Sequence, residues 1–161
     1  MEPTVSARAA SPFPVRTHRG DTIDLFKPGE ASLLMFVPAA FTPVCGSELQ
    51  ELAGLSGLAS SLDVRLLVAS CDTPATLRAW LADADGSAGF IGISDHWPHG
   101  ALASHFAAFD ERSGTAHRRS FAIDAAGSWV QVAASPAGVA RAKGDHERGI
   151  RLAASGWNAE H

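Results

Sequence analysis

Two apolar runs constrain this chain more than any other feature: Leu33-Leu34-Met35-Phe36-Val37, stopped by Pro38, and Val64–Ala69, broken only by Arg65. Neither alternates apolar with polar residues, as a strand with one wet face would, so both are predicted to be strands buried on both faces. Between them Leu49, Leu52, Leu55 and Leu58 recur at helical spacing, which predicts a helix from near Cys45 to about Ser60. Strand, helix, strand in that order forms a right-handed crossover in a parallel sheet. The fold class is α/β.

The flanking segments extend this unit. Val15–Thr17 and Thr22–Leu25 surround a Gly-Asp turn and read as a hairpin. Thr73, as N-cap, and Pro74, at the first helical position, open a helix through Leu81. Phe90–Ile93 is a short strand, Ser94–His99 a loop, and Ala101–Ala108 a helix. His117–Asp124 and Ser128–Val132 bracket Ala125-Ala126-Gly127 as an antiparallel hairpin, and Asp145 is placed to cap a last helix through Ala154. The expected architecture is a central mixed β-sheet flanked by helices, the thioredoxin-like arrangement, although periodicity alone also permits other α/β sandwiches. With no internal repeat or long linker, one domain is expected over residues 13–155, after a flexible arm (1–12) and before a short tail (156–161).

Charge and cysteine usage narrow the function classes. The chain carries 13 Lys and Arg against 17 Asp and Glu, a formal net charge of −4, so no basic field exists to attract nucleic acid or anionic lipid. No run approaches the roughly 18 apolar residues of a membrane span, and the opening MEPTVSARAASPFPV lacks the apolar core of a signal peptide. Two cysteines, Cys45 and Cys71, are too few for a disulfide scaffold; a reducing cytoplasm is the expected compartment, where a cysteine in a special setting is a chemical candidate.

Cys45 has such a setting. The segment Pro38-Ala39-Ala40-Phe41-Thr42-Pro43-Val44-Cys45-Gly46-Ser47-Glu48 leaves the C-terminal end of a parallel strand and turns into a helix. Ligands of open α/β sheets gather at that edge. In the first helical turn, unpaired N–H groups and the helix dipole favour an anion, and such a position generally lowers a thiol's pKa. Cys71, between the second apolar run and Asp72-Thr73-Pro74, reads as packing, and no CxxC pair is present.

The pattern Pro-x-x-x-Thr-x-x-Cys formed by Pro38, Thr42 and Cys45 resembles the active-site signature of the peroxiredoxins. ISDHWPHGALASHFAAFDERSG, HRRSFAIDAAG, VASCDTPATLRAW and DHERGIRLAA are similar, in order and spacing, to the AhpE-like, one-cysteine branch, so the resemblance covers roughly Pro14 to Ala154. It implies a thiol peroxidase that reduces hydrogen peroxide and organic hydroperoxides, with Cys45, Thr42, Arg118 and Pro38 as the catalytic set. Arg118 matches the arginine of the family's R-x-x-F-x-I-D strand. Its neighbour Arg119 must face the other side, because adjacent strand residues alternate; spacing favours Arg118. Glu48 resembles the acidic partner that holds this arginine. Thr42 is expected to accept from the peroxide while donating to the sulfur, Pro38 to pack over the thiolate, and the N–H groups of Val44 and Cys45 to act as donors.

A sulfenic acid on Cys45 would then need a second thiol. Gln50 stands five residues on, where some relatives carry a resolving cysteine, so an external thiol is expected; the resemblance implies mycothiol with a mycoredoxin, or a thioredoxin-like protein, and a homodimer. No cofactor is called for. His96, His99 and His105 are not read as a metal site, since Pro98 breaks the helical pairing of ligands. Trp80, Trp97 and Phe41 are expected near the site, as core packing or as an apolar surface for organic peroxides. The alternatives are a peroxide sensor, which shares the first step, and a thioredoxin-fold binding protein without turnover. A cysteine-dependent phosphatase would need an arginine soon after the cysteine, and GSELQEL has none.

Overall fold

The computed structural model describes residues 12–83 and 89–157. Apart from Pro12, Gly156 and Trp157, the expected arm and tail lie outside them. The described chain opens with the hairpin β1 (Pro14–Thr17) and β2 (Thr22–Asp24), followed by β3 (Ala31–Phe36), α1 (Pro43–Ala53), α2 (Ser56–Ser61) and β4 (Val64–Ser70). α3 (Pro74–Asp83), β5 (Phe90–Ser94), α4 (Ala101–His105) and the short pair β6 (Phe109–Asp110) and β7 (Thr115–Ala116) come next. The hairpin β8 (Arg118–Ile123) and β9 (Trp129–Ser135) and helix α5 (Lys143–Ser155) complete it.

Seven strands form one mixed sheet in the order β2-β1-β5-β4-β3-β8-β9. β3, β4 and β5 are parallel, while β1 and β8 add antiparallel strands on either side. Every residue of β3 is buried. Leu33, Met35 and Val37 enter one core with Leu66 and Val68; Leu34 and Phe36 enter the other with Leu67 and Ala69. Both faces of the central strands are therefore covered, which is why their sequences do not alternate. The second core is closed by rings of Phe36, Phe106, Phe121 and Trp129, with Phe106 and Trp129 centroids 4.5 Å apart.

Three sequence expectations need correction. The predicted helix from Cys45 to Ser60 is two helices. Gly54 ends the first, its N–H shared between the carbonyls of Gln50 and Glu51 at 3.3 and 3.2 Å, and a tighter bond from Leu55 N–H to Leu52 O turns the chain. Glycine's weak helix propensity permits this break, and the turn buries both Leu55 and Ala59. The helix at Ala101 stops at His105, because Ala107 adopts a left-handed conformation (φ 55°) and Ala108 N–H reaches back to Ala103 O at 2.7 Å. Asp145 does not cap α5: the N-cap is Ala142, and Asp145, in the first turn, pairs with Arg148 at 3.0 Å instead. Thr73 does serve α3, its hydroxyl accepting from Thr76 N–H at 3.3 Å.

α5 packs directly on the sheet. A Cβ at Gly149 would fall 2.8 Å from Val132 Cγ2 and 2.9 Å from Leu33 Cδ1, so only glycine permits this approach. Among the described residues no helix is long and apolar enough to cross a membrane.

Candidate active site

Cys45 lies in the first turn of α1, at the C-terminal edge of β3. Thr42 is the N-cap, in extended backbone (φ −109°, ψ 150°), and Pro43 fills the first helical position, where a missing N–H costs nothing. Thr42 makes no side-chain cap hydrogen bond. Its hydroxyl donates to Ala39 O at 2.9 Å. The expected donation to the sulfur is thus corrected: a hydroxyl has one proton, and here the carbonyl takes it, leaving the lone pairs of Oγ1. With no side chain over the first turn, the N–H groups of Val44 and Cys45 stay open to an acceptor. Cys45 itself is fully buried. Pro38, half-buried, begins the loop that leads from β3 to Thr42.

One turn beyond Cys45, Glu48 is buried with both oxygens occupied. Arg118 Nη1 donates to Oε1 at 2.5 Å. Arg141 donates three times: backbone N–H and Nε to Oε2 at 2.8 and 2.7 Å, and Nη2 to Oε1 at 2.7 Å. Burial pushes the Glu48 carboxyl up, but the hydrogen bonds and charge of Arg141, with the charge of Arg118, outweigh it and hold the group below the ordinary carboxylate range. Two guanidinium groups against one carboxylate leave a net single positive charge buried one turn from the thiol. Arg118 Nε is buried without a partner, a spare donor beside the filled oxygens of Glu48.

The ambiguity between the adjacent arginines resolves by strand alternation. Arg118 faces inward and is 6% exposed, whereas Arg119 turns to the other side and donates to Ala107 O at 2.5 Å. Arg141 was not singled out from the sequence, and no periodic pattern marks it: it stands in the irregular segment between β9 and α5. Its fourth hydrogen bond runs deeper. Nη1 donates to Ser120 Oγ at 3.1 Å, and Ser120 Oγ lies 2.8 Å from His146 Nε2. Burial, then the charge of Arg141, lowers the His146 pKa to about 4 despite Glu48 and Asp145, so the imidazole is neutral near pH 7.

The remaining candidates are spread out. Cys71 is buried, and burial followed by the charges of Asp95 and Asp72 raises its thiol to about 11. Trp80 is core. Phe41 and Trp97 are 56% and 83% exposed, which excludes core packing for both. His99 donates to Gly114 O at 2.7 Å, and the His105 ring packs 4.8 Å from Phe13.

Comparison with known proteins places this geometry in a lineage. Alkyl hydroperoxide reductase E of Mycobacterium bovis is 35% identical over 95 residues, 59% of this chain and 61% of that protein; the match thus spans about three fifths of the relative's length. Alkyl hydroperoxide reductase C of Escherichia coli is 32% identical over 127 residues, 78% of this chain and 67% of the relative. The crystal structure of Enterococcus faecalis AhpC superimposes with a TM-score of 0.81 at 25% identity, covering 98% of this chain and 95% of that one. The AhpC/TSA family matches residues 7–131, well over half of the sequence, and the chain belongs to that family, as the peroxiredoxin signature around Cys45 led us to expect.

Proposed function

We propose that this protein is a thiol peroxidase in which Cys45 reduces hydrogen peroxide and organic hydroperoxides. The observation that carries the reading is the buried Arg118–Glu48–Arg141 cluster, which holds one uncompensated positive charge on the helix that carries Cys45, one turn beyond that cysteine's uncapped first turn. The names of the two reductase relatives support it.

In the proposed step the Cys45 thiolate attacks the terminal oxygen of the O–O bond. A sulfur–oxygen bond forms, the O–O bond breaks, and the leaving oxygen departs as hydroxide or alkoxide, which takes up the proton that the thiol released. Sulfur is oxidised to sulfenic acid and the peroxide is reduced to water or an alcohol. Negative charge moves from sulfur to the leaving oxygen, so donors aimed at that oxygen lower the barrier. Arg118 and the N–H groups of Val44 and Cys45 fill that role, while Thr42 Oγ1 accepts from the peroxide hydroxyl and sets its approach. Burial limits competing water.

An external thiol then condenses with the sulfenic acid to a mixed disulfide and water, and a second thiol releases Cys45. Cys71 is unsuited to this task, because a thiol raised to about 11 carries little thiolate at neutral pH. Mycothiol with a mycoredoxin, or a thioredoxin-like protein, is the proposed reductant; a cytoplasmic homodimer is the proposed form. Peroxide consumption with an excess of small thiol tests the reading. It should vanish in Cys45→Ser and persist in Cys71→Ser, and undiminished turnover in Cys45→Ser would end it.

A further inference from the structure

Asp72 lies beyond the end of β4, outside the arginine cluster, yet it reaches into the loop that carries Thr42. Its Oδ2 accepts the Ala40 N–H at 2.8 Å. The same oxygen accepts the Ser70 hydroxyl at 2.7 Å, while Ser70 Oγ accepts Asp72 N–H at 3.2 Å. From the other side, Ser94 Oγ donates to Asp72 O at 2.7 Å, and Asp95 N–H donates to Ser70 O at 2.8 Å. Asp72 is thus held from both strands, its carboxylate by Ser70 of β4 and its main chain by Ser94 of β5.

The Ala40 N–H and the Ala39 carbonyl belong to one peptide group, and the Ala39 carbonyl takes the Thr42 hydroxyl proton at 2.9 Å. In a trans peptide these two bonds point in opposite directions. Asp72 therefore dictates where the carbonyl points, and hence which way the Thr42 hydroxyl turns. A flipped peptide would set the Ala39 oxygen against the carboxylate and leave the hydroxyl without its acceptor. The neighbouring Phe41 sits at φ 62°, a left-handed conformation that costs a side chain of this size about 1–2 kcal/mol, so the loop needs such a restraint to keep one shape.

We propose that Asp72 is a positioning residue for the Cys45 site, aiming the Thr42 hydroxyl through the Ala39–Ala40 peptide. The inference rests on the thiol peroxidase reading. With its proton committed to Ala39, Thr42 presents only lone pairs and accepts from the incoming peroxide. Released from that carbonyl, the hydroxyl is free to rotate, so its lone pairs no longer meet the incoming peroxide. No bond to the substrate is made by Asp72 itself.

The test is the second-order rate of Cys45 oxidation by hydrogen peroxide, followed peptide by peptide, beside the rate of Cys45 alkylation by iodoacetamide. Asp72→Ala should slow oxidation about tenfold or more, the scale of a misplaced reacting group, without slowing alkylation. Asp72→Asn, which keeps an acceptor for Ala40 N–H, should stay within about threefold of the parent. In a Thr42→Val background the loss from Asp72→Ala should shrink to about twofold or less, as expected of residues acting in series. Should Asp72→Ala not fold, Ser70→Ala, which removes the hydroxyl that orients Oδ2, carries the same comparison. Oxidation at the parental rate in Asp72→Ala, equal slowing of oxidation and alkylation, or an undiminished loss without the Thr42 hydroxyl would each overturn the proposal. A parent that does not react with peroxide would instead refute the peroxidase reading.

Discussion

His146 makes an acid-sensitive contribution to stability whose size follows from its surroundings. The ring is buried beside Arg141, and burial followed by that charge lowers its pKa from 6.5 to about 4. The sign is unambiguous. Between those values the unfolded chain binds a proton that the folded protein refuses, so stability falls as pH drops from about 6.5 to about 4 and is flat above that window. A difference of about 2.5 units at 1.36 kcal/mol each amounts to about 3 kcal/mol, of which about 2 kcal/mol accumulates by pH 5, before carboxylates titrate. Glu48, whose pKa is lowered, adds stability that is lost only as pH falls further into the carboxylate range. The perturbation is His146→Gln, which places a non-titrating polar atom near the position of Nε2. Urea unfolding of parent and variant at pH 7.5, 6.5, 5.5 and 5 supplies the comparison. The parent should lose about 2 kcal/mol more than the variant between pH 7 and 5. His18, also lowered by burial and Arg19, is present in both proteins, so most of its contribution cancels. Parallel stability curves would refute the reasoning.

Two further substitutions probe the site and the packing behind it. Arg118→Lys keeps the charge but loses the planar guanidinium that donates to Glu48 through Nη1, and should slow Cys45 oxidation about 100-fold, the order seen when one oriented donor is lost. Arg119→Ala should leave that rate within about twofold, because Arg119 faces away, toward the Ala107 carbonyl; stopped-flow oxidation of both variants checks the pair. Gly149→Ala must push a methyl into Val132 and Leu33. Overpacking of that kind costs about 1–3 kcal/mol, more than the roughly 1 kcal/mol that alanine gains in helix propensity, so denaturant unfolding should show a net loss and not a gain.

Features of this molecule that depend on local pattern were legible in its sequence. The two apolar runs identified the buried parallel strands because side chains on both faces meet cores. Strand alternation separated Arg118 from Arg119, and the residues around Cys45 indicated a helix start before any coordinates. The break at Gly54 was hidden because the leucines on both sides keep a helical period through it. Arg141 was invisible for a different reason. It meets Glu48 across 93 residues of chain, and such a contact is created by α5 docking on the sheet, not by any nearby spacing. The Ser120–His146 contact shares that origin, whereas Asp72 meets Ala40 across 32 residues because β3 and β4 pair side by side. For Phe41 and Trp97 only one of the two sequence readings fails: large aromatic rings are usually buried, but these lie on loops at the surface, which excludes core packing.

The most direct measurement is the location of the first oxygen atom transferred. Fully reduced protein, mixed with an equimolar amount of hydrogen peroxide and quenched within milliseconds, should carry a single added oxygen on the Cys45 peptide, trapped by a sulfenic-acid reagent, with the Cys71 peptide unmodified. Oxygen on Cys71, a Cys45–Cys71 disulfide as the first product, or a Cys45 thiol that survives the peroxide would contradict the account.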